Sequence, residues 1–113
     1  MIYKICPAQE WAQAVEQRSY SGSLLDRKDG FIHFSTGPQV AGTLAKYYAE
    51  ANDLVLVAVD AATLGDALRF EASRDGALFP HLYAALPLDA VRWVKPLMRG
   101  ADGIFVLPTE LGE

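Results

Sequence analysis

The sequence has a single cysteine, no long hydrophobic run and fewer basic than acidic residues. With Cys6 alone, an internal disulfide and a cysteine-rich zinc site are both excluded. The longest apolar run, LVLVAV at 54–59, is far shorter than the ~20 residues of a membrane-spanning helix. The first residues also lack the apolar stretch of a secretion signal. We therefore expect a cytoplasmic protein with no membrane segment.

The charge balance and the missing motifs narrow the function further. Ten Lys and Arg against fourteen Asp and Glu give a net charge of -4, which disfavours the broad basic surface of a nucleic-acid-binding protein. There is no glycine-rich phosphate loop, nucleophile elbow or paired-carboxylate motif. The two histidines, His33 and His81, have no helical i,i+4 pairing, so we expect no metal site.

What the sequence does contain is the pattern of one folded domain covering residues 1–113. Hydrophobic residues make up 51% of the chain, which is enough for a core. A short strand at 2–5 precedes a helix anchored by Trp11, and LVLVAV is typical of a strand buried on both faces. Extended segments follow at 69–73, 79–83, 90–97 and 104–107, with a turn at Arg74-Asp75-Gly76. The pattern predicts an α+β domain with a split mixed or antiparallel sheet and two main helices.

Two segments of the first half carry more specific expectations. Residues 19–28 are polar and contain glycine, which indicates a loop with Leu24 and Leu25 packed inward and the charge run at 26–29 in solvent. Thr36 and Gln39 form a capping-box pattern that opens a second helix, which we expect to end near Asn52. That helix would place an aromatic face, including Tyr47 and Tyr48, where a homo-oligomer or another protein could bind.

His33 is the first candidate for chemistry. Alternation in GFIHFST at 30–36 places Phe31, His33 and Ser35 on one face of a strand. The helix start at Thr36 follows directly, and backbone N–H groups there favour negative charge, so a phosphorylated ligand could lie beside His33. The alternative is a structural histidine with a hydrogen bond to a neighbour, and Ser35 and Thr36 acting only as caps.

His81 is the second candidate, in FPHLY at 79–83, and Tyr83 would share its face. It is either a site residue or a structural histidine. Glu71 and Arg69 share another strand face and form either a polar pair in a cleft or a solvated surface. Cys6 is best explained as a small buried residue.

The ordered motifs as a whole resemble a known family. IYKI, the helix with Trp11, DGFIHFST, LVLVAVD, RFE, FPHLY and LPLDAV are similar to domain-of-unknown-function family 952, a family of small bacterial proteins. The resemblance covers nearly the whole chain. Two positions depart from the family pattern, since Lys4 stands where a member can carry histidine and Ala84 where glycine often follows the tyrosine.

The resemblance extends in outline to the ADP-ribosyltransferase-like fold and, within it, to the RNA 2′-phosphotransferase group. It implies that NAD binds in the cleft of a split sheet, with His33 facing the nicotinamide ribose and Lys4 in the place of a ribose-binding histidine. Glu71, His81 or Tyr83 would supply the third motif position. The implied function is an NAD-using transferase or hydrolase that cleaves the nicotinamide–ribose bond, with His33, Glu71 and His81 as catalytic candidates. The ligand would be contacted by the remaining candidates, Lys4, Ser35, Thr36, Gln39 and Tyr83.

Two alternatives remain at this point. The same cleft could bind a nucleotide or a phosphorylated metabolite without turnover. The chain could instead be a protein-interaction domain that uses the aromatic face of its second helix.

Overall fold

The computed structural model describes residues 1–73 and 76–112 of the chain. Within them lie three α-helices: α1 (Ala8–Gln17), α2 (Leu24–Asp29) and α3 (Val40–Tyr47). The same residues form nine strands: β1 (Ile2–Pro7), β2 (Ser19–Tyr20), β3 (Ile32–His33), β4 (Leu54–Val59), β5 (Leu68–Ala72), β6 (Leu78–Leu82), β7 (Leu86–Pro87), β8 (Val91–Arg99) and β9 (Phe105–Val106). Short 3-10 turns connect several of these elements.

The larger sheet has the order β1-β4-β8-β9, with β4 in its interior. The sequence LVLVAV therefore pairs on both sides, and this confirms the predicted buried strand. Along β1 and β4 the side chains alternate between two separate clusters of buried residues. Ile2, Cys6 and Val57 join Trp11 and Tyr20 on one face of the sheet. The other face packs residues of β1 and β4 against Val40 and Leu44 of α3.

The smaller sheet has the order β3-β6-β5, and β2 pairs separately with β7. An isolated bridge between Tyr3 and Ser35 connects β1 to the segment after β3. Tyr3 N donates to Ser35 O at 2.8 Å, and Ser35 N donates to Tyr3 O at 2.9 Å. All the strand pairs of the described residues are antiparallel, so the α+β prediction is confirmed in its antiparallel form.

The second predicted helix is shorter than expected. It begins with a 3-10 turn (Gly37–Gln39) and continues as α3, which ends at Tyr47 rather than near Asn52. The predicted turn at 74–76 lies partly outside the described residues, because the structure describes only Gly76 of the three. The predicted strands at 69–73, 79–83, 90–97 and 104–107 correspond to β5, β6, β8 and β9.

The loop predicted at 19–28 is wrong, because this segment contains β2 and most of α2. Ser23 caps α2: its Oγ accepts from Asp26 N at 3.1 Å, and Asp26 Oδ2 accepts from Ser23 N at 2.8 Å. The side chain of Asp26 points inward and is only 2% exposed, instead of lying in solvent as predicted. Leu24 and Leu25 point outward and are 84% and 54% exposed, which also reverses the prediction.

Candidate functional site

A cavity of about 740 Å³ opens where β1, β3 and β6 meet α2 and α3. Its size is in the range of small-molecule sites, which are commonly 300–1,000 Å³. Four of the sequence candidates line it: Lys4, His33, Ser35 and His81. Other polar residues of its wall include Glu10, Ser23, Asp26, Asp29, Thr43 and Tyr48.

A buried ion pair forms one wall of the cavity. Lys4 lies on β1 and shares the strand face of Ile2 and Cys6. Only 4% of it is exposed. Its Nζ donates to Asp26 Oδ2 at 2.8 Å and to the His33 carbonyl at 3.0 Å. A buried ammonium needs such partners because desolvation is costly. These two bonds use two of its three N–H groups, which leaves one for a ligand.

Asp26 is the centre of this network. Its Oδ1 accepts from His33 Nδ1 at 2.5 Å and from His33 N at 3.2 Å, while Oδ2 accepts from Lys4 and from Ser23 N. Burial alone would raise the pKa of Asp26, but the hydrogen bond from His33 and the charge of Lys4 outweigh it. The pKa of this carboxyl is therefore held well below its ordinary value, and Asp26 is ionised at neutral pH.

His33 lies between two carboxylates. Its Nδ1 contacts Asp26, and its Nε2 is 2.9 Å from Asp29 Oδ2. Neutral imidazole donates from one nitrogen only, so both contacts are hydrogen bonds to ionised carboxylates when the ring is protonated. The side chain is 30% exposed at the cavity. His33 is thus a well-oriented site residue whose two nitrogens already have partners.

His81 faces His33 across the β3–β6 pair. The two residues are directly opposite in the strand register, and their ring centroids are 5.5 Å apart. His81 is 4% exposed, and its Nδ1 is 2.8 Å from Glu71 Oε1. Its Nε2 is buried and has no hydrogen-bond partner among the described residues. Phe31 stacks on the ring, with centroids 4.1 Å apart.

Glu71 and Tyr83 are connected to the cavity by hydrogen bonds that lead to His81, which lines it. Neither is among the residues that line the wall. Tyr83 Oη donates to Glu71 Oε1 at 2.7 Å. The hydrogen bonds from Tyr83 and from His81 lower the pKa of Glu71, and the bond to Glu71 raises the pKa of Tyr83. Two arrangements were expected for Glu71 and Arg69, a polar pair in a cleft or a solvated face. Glu71 belongs instead to a Tyr83–Glu71–His81 chain of hydrogen bonds, whereas Arg69 is exposed, with its guanidinium carbon 5.2 Å from the Tyr83 ring centre.

Thr36 and Gln39 also lie outside the cavity wall. Gln39 Oε1 accepts from Thr36 N at 2.9 Å, as the capping pattern predicts, and Gln39 Nε2 donates to Leu78 O at 2.9 Å. The start of the helix is also closely packed, because a Cβ added to Gly37 would lie 2.4 Å from the carbonyl oxygen of Leu111. Thr36 and Gln39 therefore stabilise the start of the helix and its contact with β6. The polar atoms of the cavity wall belong to other residues.

Two further expectations concern Cys6 and the aromatic face of α3. Cys6 is 1% exposed, and burial, followed by the charge of Glu10, raises the pKa of its thiol to about 12. This matches the predicted small buried residue. Tyr48 Oη donates to the Ile5 carbonyl at 3.3 Å, so part of the face is used inside the domain. Tyr47 is 58% exposed and lies at the cavity.

Sequence reasoning missed Asp26, Asp29 and Glu10. Asp26 and Asp29 lie in the charge run that was predicted to be solvated, whereas both carboxylates hold His33. The capping pattern from Ser23 to Asp26 was the available signal, since it predicts a helix rather than a loop. Glu10 carried no such signal: its Oε2 accepts from the buried Tyr20 hydroxyl at 2.6 Å.

In residues 1–73 and 76–112, no group of three or more His, Cys, Asp or Glu side chains is arranged to hold a metal ion. None of the helices in this part of the chain combines the length and the apolar character needed to cross a membrane.

The comparisons with known proteins agree with the family predicted from the motifs. The model of the family described as "Protein of unknown function (DUF952)" matches residues 5–94. The crystal structure of protein CC0527 from Caulobacter crescentus is 45% identical, with a TM-score of 0.92 over 99% of this chain and 98% of that chain. The solution NMR structure of CC0527 is 47% identical, with a TM-score of 0.82 over 91% of this chain and 89% of that chain. No curated protein matches this chain. The chain belongs to the DUF952 family of proteins of unknown function.

Proposed function

We propose that the chain binds NAD in the cavity and cleaves the nicotinamide–ribose bond, as a hydrolase or a transferase. One observation carries the proposal: two histidines from neighbouring strands face each other at 5.5 Å on the wall of a cavity of about 740 Å³, next to a buried lysine. Convergent polar groups in a cavity of ligand size are the usual mark of a small-molecule site. The likeness of the motifs to the ADP-ribosyltransferase-like fold adds an analogy to this geometry.

The residues of the wall suit a ribose. Lys4 has one N–H group left for a hydroxyl oxygen, and its position is fixed by Asp26 and the His33 carbonyl. His33 is held by carboxylates at both nitrogens, so its ring keeps one orientation toward the ligand. Pre-oriented groups of this kind lower the entropy cost of placing a sugar for reaction.

The charges of the wall suit cleavage at the anomeric carbon. Positive charge develops on the ribose as the bond to nicotinamide breaks. Asp26 and Asp29 lie on the wall, where Asp26 pairs with Lys4 and both contact the ring of His33, and Glu10 adds a further carboxylate. Negative groups fixed around a developing cation stabilise the transition state. Glu71 would act through His81, since its carboxylate bonds to that ring.

Isothermal titration with NAD, followed by chromatography of released nicotinamide, tests the proposal. We expect binding and a slow release of nicotinamide. Lys4→Met should weaken NAD binding about tenfold or more, since one hydrogen bond to a charged group contributes about 1.5–3 kcal/mol. Lys28→Met is the matched control, because Lys28 is an exposed lysine of α2. Absence of binding at millimolar NAD would refute the proposal.

The second candidate is a binding module for a nucleotide or phosphorylated metabolite without turnover. The observation that favours it is that both nitrogens of His33 already have carboxylate partners, which leaves His33 no free nitrogen for proton transfer. This candidate predicts that a nucleotide raises the melting temperature and that no nicotinamide is released. His33→Ala should remove the thermal shift while the free protein stays folded. If His33→Ala unfolds the free protein, His33 has a structural role only.

A further inference from the structure

We infer that Nε2 of His81, a residue of the cavity wall, is a hydrogen-bond acceptor for the ligand and serves as the general base that takes a proton from the attacking hydroxyl. This inference rests on the proposed function and names the part of the reaction that the binding residues leave open. The ligand group that it assigns to the site is a hydroxyl, from water or from an alcohol acceptor. Glu71 is its positioning residue.

The tautomer follows from the contact with Glu71. A carboxylate accepts hydrogen bonds and donates none, so the proton of a neutral His81 ring lies on Nδ1, 2.8 Å from Glu71 Oε1. The Tyr83 hydroxyl donates to the same oxygen at 2.7 Å and so keeps the carboxylate ionised. Nε2 is then the unprotonated nitrogen, with a lone pair directed away from Glu71.

The surroundings of Nε2 favour a ligand contact. His81 is 4% exposed and lines the cavity, and Nε2 has no partner among the described residues. Buried polar atoms are nearly always hydrogen-bonded in native proteins, so an acceptor left in this state calls for a donor from outside the described residues. A hydroxyl on a ligand, or a water beside it, supplies that donor.

The two strands that pair with β6 in the described residues, β3 and β5, are compatible with this role. Glu71 and Arg69 face it from β5, and Arg69 is its register partner there. His33 faces it from β3 with its own nitrogens on Asp26 and Asp29. Among these described neighbours Glu71 is the group bonded to the His81 ring, so the orientation of the ring depends on it.

The step balances without a further reactant. The oxygen of water attacks the anomeric carbon of the ribose, and the bond to nicotinamide breaks with its electron pair moving to the ring nitrogen. Nicotinamide leaves as a neutral molecule. The water proton passes to His81 Nε2 and from there to solvent. With an alcohol acceptor the same proton transfer gives a glycoside instead of the free sugar.

The first experiment is a long-range ¹H–¹⁵N spectrum of the imidazole groups of the whole protein, which shows which ring nitrogen carries the proton. We expect the His81 proton on Nδ1 in the native chain and on Nε2, or exchanging between both, in Glu71→Ala. Arg69→Ala is the control on the same strand and should leave the tautomer unchanged. A native ring protonated on Nε2, or a Glu71→Ala spectrum identical to the native one, would overturn the inference whether or not NAD is cleaved.

The second experiment is kinetic. His81→Asn keeps a donor for Glu71 but has no base, and should lower the rate of nicotinamide release by about 100-fold or more. His81→Ala should be restored by added free imidazole in proportion to its concentration, whereas the native rate should not change. Circular dichroism tests whether each variant is folded. If His81→Ala is unfolded, the His81→Asn variant alone decides the kinetic test. Unchanged turnover in His81→Asn refutes the base. An inactive native protein refutes the proposed reaction and the base with it, while the tautomer is decided by the spectrum.

Discussion

Replacing Asp26 by asparagine tests the central interaction of the site. The carboxylate is 2% exposed and accepts four hydrogen bonds: from Lys4 Nζ, from Ser23 N, and from the backbone N and the Nδ1 of His33. Asparagine is almost the same size but offers one acceptor oxygen. If that oxygen takes the place of Oδ1, the new NH₂ group faces the N–H groups of Lys4 and Ser23.

The expected loss in the free energy of unfolding follows from these contacts. Two lost bonds that involve a charged group cost about 1.5–3 kcal/mol each, or about 3–6 kcal/mol together. Breaking a buried ion pair by removing one partner costs about 3–5 kcal/mol, which agrees. The total stability of a domain is only about 5–15 kcal/mol, so Asp26→Asn should remove a large part of it. With a urea slope of about 2 kcal/mol per M, a loss of about 4 kcal/mol lowers the unfolding midpoint by about 2 M.

The assay is urea unfolding followed by circular dichroism at neutral pH, with a double-mutant cycle. Lys4→Met combined with Asp26→Asn removes both charges, so the double variant should lose less than the sum of the two single losses, by about 1–3 kcal/mol. Asp29→Asn is the matched control on α2, because its partly exposed contact with His33 should contribute about 0.2–1 kcal/mol. A loss below about 1 kcal/mol for Asp26→Asn, or strict additivity in the cycle, would refute the reasoning.

Three further predictions follow from the same structure. Because the pKa of Asp26 is lower in the folded than in the unfolded chain, its contribution is complete above about pH 5 and is lost progressively as the pH falls from the unfolded value of about 3.9 down through the lower folded value. Unfolding free energies between pH 6 and pH 2 should therefore fall more steeply in the native chain than in Asp26→Asn. The Cys6 thiol, whose pKa burial raises to about 12, should not react with Ellman's reagent at pH 8 until the protein is unfolded; fast native reaction would contradict its burial. Gly37→Ala should lower the free energy of unfolding by about 1–3 kcal/mol, since its Cβ would lie 2.4 Å from the Leu111 carbonyl oxygen. A melting temperature as high as that of Pro38→Ala, the control at a neighbouring exposed residue, would refute this contact.

Local sequence patterns were sufficient to predict most of the longer strands. Six apolar residues at 54–59 have few ways to be buried other than as an interior strand, and they form β4. Alternation around His33 assigned the faces only in part: Ile32 and Phe34 belong to the buried core and His33 lines the cavity, but Phe34 lines the cavity as well and Ser35 is buried. The parts of these predictions that hold each depend on neighbours within a few residues.

The site depends on contacts between distant residues, which is why the sequence identified its histidines but not their partners. Lys4 and Asp26 are 22 residues apart, and His33 and His81 meet only because β3 and β6 pair in one particular register. A charge run at 26–29 has the composition of a solvated loop, and nothing local indicates that a lysine on β1 draws Asp26 inward. Gln39 shows the opposite case: its capping bond is local and was predicted, while its bond to Leu78 was not.

The way these groups pair decides which residue is the better probe of function. Lys4, Asp26 and His33 bond to one another, so a change at any of them disturbs the stability of the domain as well as the surface offered to a ligand. His81 differs, because its contact with Glu71 uses one nitrogen and leaves the other without a partner in the described part of the chain. His81→Asn keeps a donor for Glu71 and removes the unpartnered Nε2. A loss of ligand response in this variant, with unchanged unfolding, would therefore report on the chemistry of the cavity alone.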